Sequence, residues 1–142
     1  ILNNNPNIKF ILAGPNDQSL AKQILNSVIK KEQALLFGST NTQLLGNCCD
    51  IFLDTFPIPC GYSALEMMAK GKPVVVFKGK NLGDYAKVRL PELIFEDKDN
   101  LEKCIKKLAK NKFFYKQNSD SYKNIAIKLD RWEDLAKSII SI

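Results

Sequence analysis

Short, uninterrupted apolar runs separated by segments of helical spacing constrain this chain more than any other feature. The runs are residues 8–13, 34–37, 51–54 and 74–77, and helical spacing is found at 19–30, 40–48 and 63–70. An apolar run without alternation predicts a strand that is buried on both faces, and intervening helices predict parallel pairing through right-handed crossovers. The sequence therefore predicts an α/β fold with a doubly wound, mainly parallel sheet of the Rossmann-like type.

The rest of the chain continues this pattern. Residues 93–95 are predicted as a last short strand, 100–110 as a helix, and 113–142 as C-terminal helices in two pieces, with Trp132 on their inner stripe. A length of 142 residues indicates one domain, residues 1–142. Because the first residue is Ile1 and not Met, we expect this domain to be a fragment of a longer chain.

The chain is basic, with 21 Lys and Arg against 15 Asp and Glu and a net charge of +6. A positive charge suits phosphate ligands, nucleic acid or an anionic membrane surface. Only Arg89 and Arg131 are arginines, which is few for reading bases, so we expect no nucleic-acid partner. We expect a cytoplasmic protein, with peripheral contact to the inner membrane surface as the further interpretation of the charge.

Cysteine and histidine usage limits the chemistry of the chain. The four cysteines, Cys48, Cys49, Cys60 and Cys104, form no C-x-x-C pair, and there is no histidine. We therefore expect reduced thiols, as in cytoplasmic proteins, and no metal site. The absence of histidine also removes the commonest general base from this domain.

In doubly wound sheets, ligands bind beyond the carboxyl ends of the strands. At the predicted ends lie Gly14, then Gly38 and Ser39, then the loop that follows Asp54, and then Lys78. Gly38 and Ser39 are candidates for holding a base, and Lys78 is a candidate phosphate partner. We expect Asp54 to cap its own turn rather than to bind a ligand.

The most informative segment is 52–77, in which a strand, a proline-rich loop and a helix follow one another. The N-terminus of a helix offers unpaired N–H groups and a positive dipole end, which suit a diphosphate. Gly61, Tyr62 and Ser63 are the candidate phosphate contacts, and Glu66 could accept hydrogen bonds from a ribose diol. The alternative is a capping box, in which Ser63 caps the helix and Glu66 reaches back to it without any ligand.

Residues 53–77 read LDTFPIPCGYSALEMMAKGKPVVVF. This run resembles the donor-binding segment of GT-B glycosyltransferases, especially the bacterial relatives of O-linked N-acetylglucosamine transferase. The resemblance implies that Gly61, Tyr62 and Ser63 occupy the phosphate loop and that Glu66 is the ribose-binding acid. The sequence departs from the family pattern at Cys60 and Tyr62, where Gly and Thr are usual, and Ile58 replaces the first acid of the retaining families.

The resemblance implies the C-terminal half of a GT-B enzyme of glycan biosynthesis. Such a domain binds a nucleotide-diphosphate sugar, here a UDP-sugar, for transfer to an acceptor held by a missing N-terminal domain, without a metal or other cofactor. Two alternatives stay open. A nucleotide-sugar epimerase half-domain would need a histidine, and a non-catalytic doubly wound binding module would need more acids at the strand ends than Asp54.

Overall fold

The computed structural model describes residues 2, 5–14, 19, 23, 26, 33–56, 60–78 and 88–129. The chain divides into two compact units, Ile1–Leu45 and Gly46–Ile142, with the boundary inside helix α1 (Thr42–Cys48). The predicted inner stripe around Trp132, the helical segment after residue 129, Lys80 and Asp84 lie outside the described residues.

The first unit contains two parallel strands, β1 (Phe10–Ala13) and β2 (Ala34–Phe37), which pair from Phe10↔Ala34 to Ala13↔Phe37. The predicted helix between them is described only at Ser19, Gln23 and Asn26, which have helical backbone. Parallel pairing requires a crossover of this kind, and the connection has the length for one.

Hydrogen bonds from Gln33 connect the start of β2 to the segment before β1. Gln33 is only 2% exposed, and its Nε2 donates to the carbonyl oxygens of Asn5 and Ile8, each at 2.9 Å. The chain just before β1 is therefore held by a side chain that comes 25 or more residues later.

The expectation that every strand is buried on both faces was wrong for β2. Its residues alternate between half-buried and exposed, and Leu35 and Phe37, which share a face, are 42% and 46% exposed. Alternation of this kind is typical of a sheet with only one covered face. Phe37 is therefore not part of the core.

The second unit contains a three-stranded parallel sheet with the order β3 (Phe52–Leu53), β4 (Val74–Phe77) and β5 (Ile94–Phe95). The central strand β4 is buried from Val74 to Val76, as its unbroken apolar run predicts. Helix α2 (Tyr62–Ala69) connects β3 to β4, and a 3-10 helix (Pro91–Leu93) precedes β5. Two long helices follow, α3 (Lys98–Lys110) and α4 (Lys112–Leu129).

These parallel strands and their connecting helices confirm the predicted mixed α/β, Rossmann-like fold class. Strands predicted at 34–37 and 74–77 have those bounds, and the other elements that the structure describes differ at their ends by a few residues. Most of the helix predicted at 19–30 lies outside the described residues. Residues 112–129 form one uninterrupted helix.

Helix α2 ends in a Schellman turn. The N–H of Gly71 donates to Met68 O at 2.8 Å, and the N–H of Lys72 donates to Met67 O at 2.9 Å. This motif requires a left-handed residue directly after the C-cap, and Gly71 has φ +69°. A Cβ at Gly71 would also lie 2.3 Å from Lys123 Cε of α4 and 2.8 Å from Ser119 Oγ. The predicted helix stop at Gly71 is confirmed, and the same residue lets α4 pass closely.

The core of the second unit lies between β4, α2, α3 and α4. Its buried hydrophobic residues are Ala64, Met67, Met68, Val74, Val75, Val76, Leu93, Leu101, Cys104, Ile105, Leu108 and Tyr122. Tyr122 is fully buried, and its hydroxyl donates to Val74 O at 2.6 Å and accepts from the N–H of Leu90 at 3.3 Å. Burial raises the pKa of this hydroxyl, so it stays protonated and keeps its donor.

Candidate functional site

The candidate site begins where β3 ends, with the buried side chain of Asp54. This residue is 4% exposed, and its Oδ1 accepts from the N–H of Thr55 at 2.9 Å and from the N–H of Cys60 at 2.7 Å. One carboxylate oxygen therefore bridges the two ends of the loop. The expectation that Asp54 caps its own turn is confirmed.

The second oxygen of Asp54 is bound by Arg89. The Nε and Nη2 atoms of Arg89 lie 3.2 and 3.0 Å from Asp54 Oδ2, and Nη2 also donates to Cys60 O at 2.9 Å. The two side chains are 2% and 0% exposed. The guanidinium of Arg89 is therefore buried and held by Asp54 and Cys60. Sequence reasoning missed this pairing.

The loop leads into the N-terminus of α2, which is the centre of the candidate site. The N-cap is Gly61, which has no side chain to cap the helix, and the helix itself begins at Tyr62. Ser63 is therefore inside the first turn, two residues after the N-cap position that a capping box requires. The capping-box alternative for Ser63 and Glu66 was wrong in this respect.

Residues 62, 63 and 66 share one face of α2, because positions three and four apart are neighbours on a helix. Tyr62 is 86% exposed, whereas Ser63 and Glu66 are half-buried. The opposite face carries Ala64 and Met68, each 0% exposed, and Met67, 1% exposed, lies between that face and Ser63, so both methionines belong to the core. The buried methionines thus fix which side of α2 is left for a ligand.

Lys78 lies at the end of β4, on the carboxyl edge as predicted. Its Nζ donates to Glu96 Oε1 in an ion pair in which the two side chains are 46% and 73% exposed. Close to this edge, the rings of Phe56 and Phe77 pack with centroids 5.3 Å apart. Lys78 can bind a phosphate only if its ion pair with Glu96 breaks. Exposed ion pairs are weak enough to permit this exchange.

The remaining predicted residues lie in the first unit. Gly14 follows β1, and Gly38 and Ser39 follow β2. Since Ala13 pairs with Phe37, the register brings Gly14 and Gly38 next to each other at the carboxyl edge of this sheet. The structure thus assembles the predicted residues in two groups, one in each unit.

All four cysteines are free thiols, as expected. In the described ranges, no group of three or more Cys, Asp or Glu side chains is placed to hold a metal ion. None of the helices in the described part of the chain is long and apolar enough to cross a membrane.

The parallel strands and their connecting helices, with a helix N-terminus at a carboxyl strand edge, define an α/β domain of the Rossmann-like class. The family model described as Glycosyl transferases group 1 matches residues 1–129. The chain therefore belongs to the glycosyl transferases group 1 family, and it corresponds to a C-terminal domain of the GT-B fold. No curated protein matches the chain.

Proposed function

We propose that this glycosyltransferase domain binds a UDP-linked sugar at the N-terminus of α2 and presents it to an acceptor held by another domain of the same enzyme. The observation that carries the proposal is the start of α2. A glycine N-cap leaves the first turn without a side-chain cap, so its N–H groups are available to an anion. The positive end of the helix dipole adds to the attraction for a diphosphate.

Each residue at this N-terminus has a proposed role. The absence of a Cβ at Gly61 lets the diphosphate approach the backbone, and the hydroxyls of Tyr62 and Ser63 donate to it. Glu66, one turn further along the same face, accepts hydrogen bonds from the ribose diol. The donors would also stabilise the negative charge that develops on the leaving diphosphate, which lowers the barrier to transfer.

The buried pair of Asp54 and Arg89 supports this proposal because it fixes the loop that enters α2. Between them, these side chains hold the N–H groups of Thr55 and Cys60 and the carbonyl of Cys60. Gly61 follows directly. A loop that is held before the ligand arrives loses less conformational freedom on binding.

Lys78 is the further proposed contact within the same unit, and it would exchange Glu96 for a phosphate oxygen. The roles expected of Gly14, Gly38 and Ser39 in the first unit stay predictions. The choice of UDP rests on the resemblance of residues 53–77 to the relatives of O-linked N-acetylglucosamine transferase. No catalytic residue is assigned, since we expect the acceptor and its base to belong to the other domain.

Calorimetric titration of this chain with UDP, GDP and AMP tests the proposal. We expect UDP to bind, and Glu66→Ala to weaken UDP binding by more than tenfold, or more than about 1.4 kcal/mol. Glu102→Ala is the matched control, because it removes a carboxylate from α3, where Glu102 pairs with Lys106. This control should leave UDP affinity unchanged.

Two results would overturn the proposal. One is that none of the three nucleotides binds the folded chain. The other is that Glu66→Ala lowers the melting temperature but leaves UDP affinity at the level of Glu102→Ala, which would make Glu66 a structural residue of α2.

A further inference from the structure

The positive charge of this chain is concentrated in one place. Residues 103–116, here called the lysine corner, carry six lysines and no acidic residue. They form the end of α3, the connecting Asn111 and the first turns of α4. Because the chain has 21 basic and 15 acidic residues, the basic residues outside the corner equal the acidic ones in number. The net charge of +6 therefore equals the charge of the six lysines in this corner.

Half of these six lysines have a local partner. Lys106 pairs with Glu102, Lys116 pairs with Asp120, and Lys107 lies over the ring of Phe114 at 4.0 Å. The side chains of Lys103, Lys110 and Lys112 are exposed, and no ion pair occupies them among the residues that the structure describes. The corner thus presents free cations to solvent.

The first turn of α4 carries a positive charge at the end of the helix where a negative charge is more favourable. It begins at Lys112 and contains no acidic residue, although the positive dipole end of a helix favours Asp and Glu. The lysines at the end of α3, Lys107 and Lys110, complement the negative dipole end there. Helix stability therefore accounts for the lysines of α3 but not for Lys112.

An exposed aromatic ring lies among these lysines. Phe113 is 80% exposed, whereas the neighbouring Tyr115 is half-buried and its hydroxyl donates to Asp50 O at 3.0 Å. An exposed apolar side chain in a lysine-rich segment fits a surface that is anionic outside and apolar beneath, which describes the headgroup region of a bilayer.

The corner is separate from the proposed donor site. Asp50, which Tyr115 contacts, precedes β3, and Asp54, which begins the donor loop, follows it. In a parallel sheet these two positions lie at opposite edges. Lys112 and Lys116, which flank Tyr115 on the same helix, are consequently not the partners of a donor diphosphate at the N-terminus of α2.

We propose that the lysine corner docks this domain on an anionic lipid bilayer, with lysines 103, 110 and 112 against the headgroups and Phe113 inserted between them. This surface leaves the donor edge of the sheet turned away from the lipid. The inference does not depend on the identity of the donor, and it stands or falls separately from the donor-binding proposal.

Co-sedimentation of this chain with lipid vesicles tests the inference. We expect binding to vesicles of phosphatidylcholine with phosphatidylglycerol, little binding to phosphatidylcholine alone, and release of the chain as salt is raised. The double variant Lys110→Glu/Lys112→Glu should bind roughly tenfold more weakly or worse, since each lysine near the surface contributes separately. Phe113→Ser should also weaken binding, and Phe113→Trp should preserve it.

The matched control is Lys98→Glu/Lys128→Glu, which makes the same change in net charge at exposed positions outside the corner. It should keep most of the vesicle binding, and circular dichroism should show each variant to be folded. Equal loss in both double variants would overturn the inference, because net charge alone would then explain binding. Failure of the unmodified chain to prefer anionic vesicles, with retention of single-stranded RNA instead, would overturn it as well.

Discussion

The guanidinium of Arg89 and the carboxylate of Asp54, 35 residues apart in sequence, meet in an ion pair that solvent does not reach. The pair also binds both backbone groups of Cys60, so it joins the segment before β5 to the loop after β3. The removal of either charge should disturb the loop that the pair holds. The remaining charge would stay buried without its partner, which costs free energy.

Substitution of Arg89 should therefore be strongly destabilising. We expect Arg89→Met to lower the free energy of unfolding by about 3–5 kcal/mol, since it leaves Asp54 without a cation. Asp54→Asn/Arg89→Met should lose less than the single variant, because no unpaired charge remains and the amide oxygen can still accept from Thr55 and Cys60. Urea denaturation measures both, with Lys128→Met as an exposed control within about 0.5 kcal/mol. Equal stability of Arg89→Met and Lys128→Met would contradict the burial of this pair.

Gly71 should tolerate no side chain. Its φ of +69° costs a residue with a Cβ about 1–2 kcal/mol, and the added atom would overlap Lys123 and Ser119 of α4. We expect Gly71→Ala to lower the melting temperature clearly. Gly14→Ala is the control, because a Cβ at Gly14 meets nothing within 4 Å. If thermal denaturation followed by circular dichroism gave the two variants the same midpoint, the left-handed turn at Gly71 would be refuted.

Cys104 should resist alkylation while the chain is folded. Its side chain lies in the core, and burial raises the pKa of the thiol to about 11. Because the thiolate is the reactive form, its reaction with iodoacetamide should be slow near neutral pH and faster as the pH approaches that value. Cys48 is exposed and serves as the internal control in the same sample. Peptide mapping by mass spectrometry measures the modification of both cysteines. Comparable modification of Cys104 and Cys48 in the folded chain would contradict the burial of Cys104. Denaturant should abolish the difference between them.

Local patterns were enough to predict most of the fold. The unbroken apolar run of residues 74–77 identifies the central strand, since only a strand covered on both faces can bury every side chain. Gly71 followed by Pro73 gives the end of α2, because the Schellman turn needs a left-handed residue at that position. These features depend on neighbours in sequence, which is why the sequence alone predicts them.

Contacts between residues that are far apart in the chain could not be predicted from the sequence. Nothing in the residues around Arg89 indicates that it binds Asp54, and nothing around Tyr122 indicates that its hydroxyl reaches the carbonyl of Val74, 48 residues earlier. The exposed face of β2 was missed for a related reason. An apolar run of four residues does not reveal whether both faces of its strand are covered.

The candidate site was predicted in part for the same reasons. Gly61, Ser63 and Glu66 were recognised from their position at the start of a helix, but S-x-x-E spacing alone did not decide whether Ser63 is the N-cap or a first-turn residue. A shift of two residues in the start of α2 separates these interpretations, and helix starts inferred from sequence are not that exact.

The span of these buried contacts has a consequence for synthesis on the ribosome. At about 5–20 residues per second, the 35 residues between Asp54 and Arg89 take roughly 2–7 s to translate. During that interval Asp54, which begins the loop after β3, lacks its ion-pair partner Arg89. The carbonyl of Val74 lacks the hydrogen bond from Tyr122 until 48 further residues have been made. A chaperone or a protease that meets the emerging chain in this interval would find β3 and β4 before the side chains that lock them have been made.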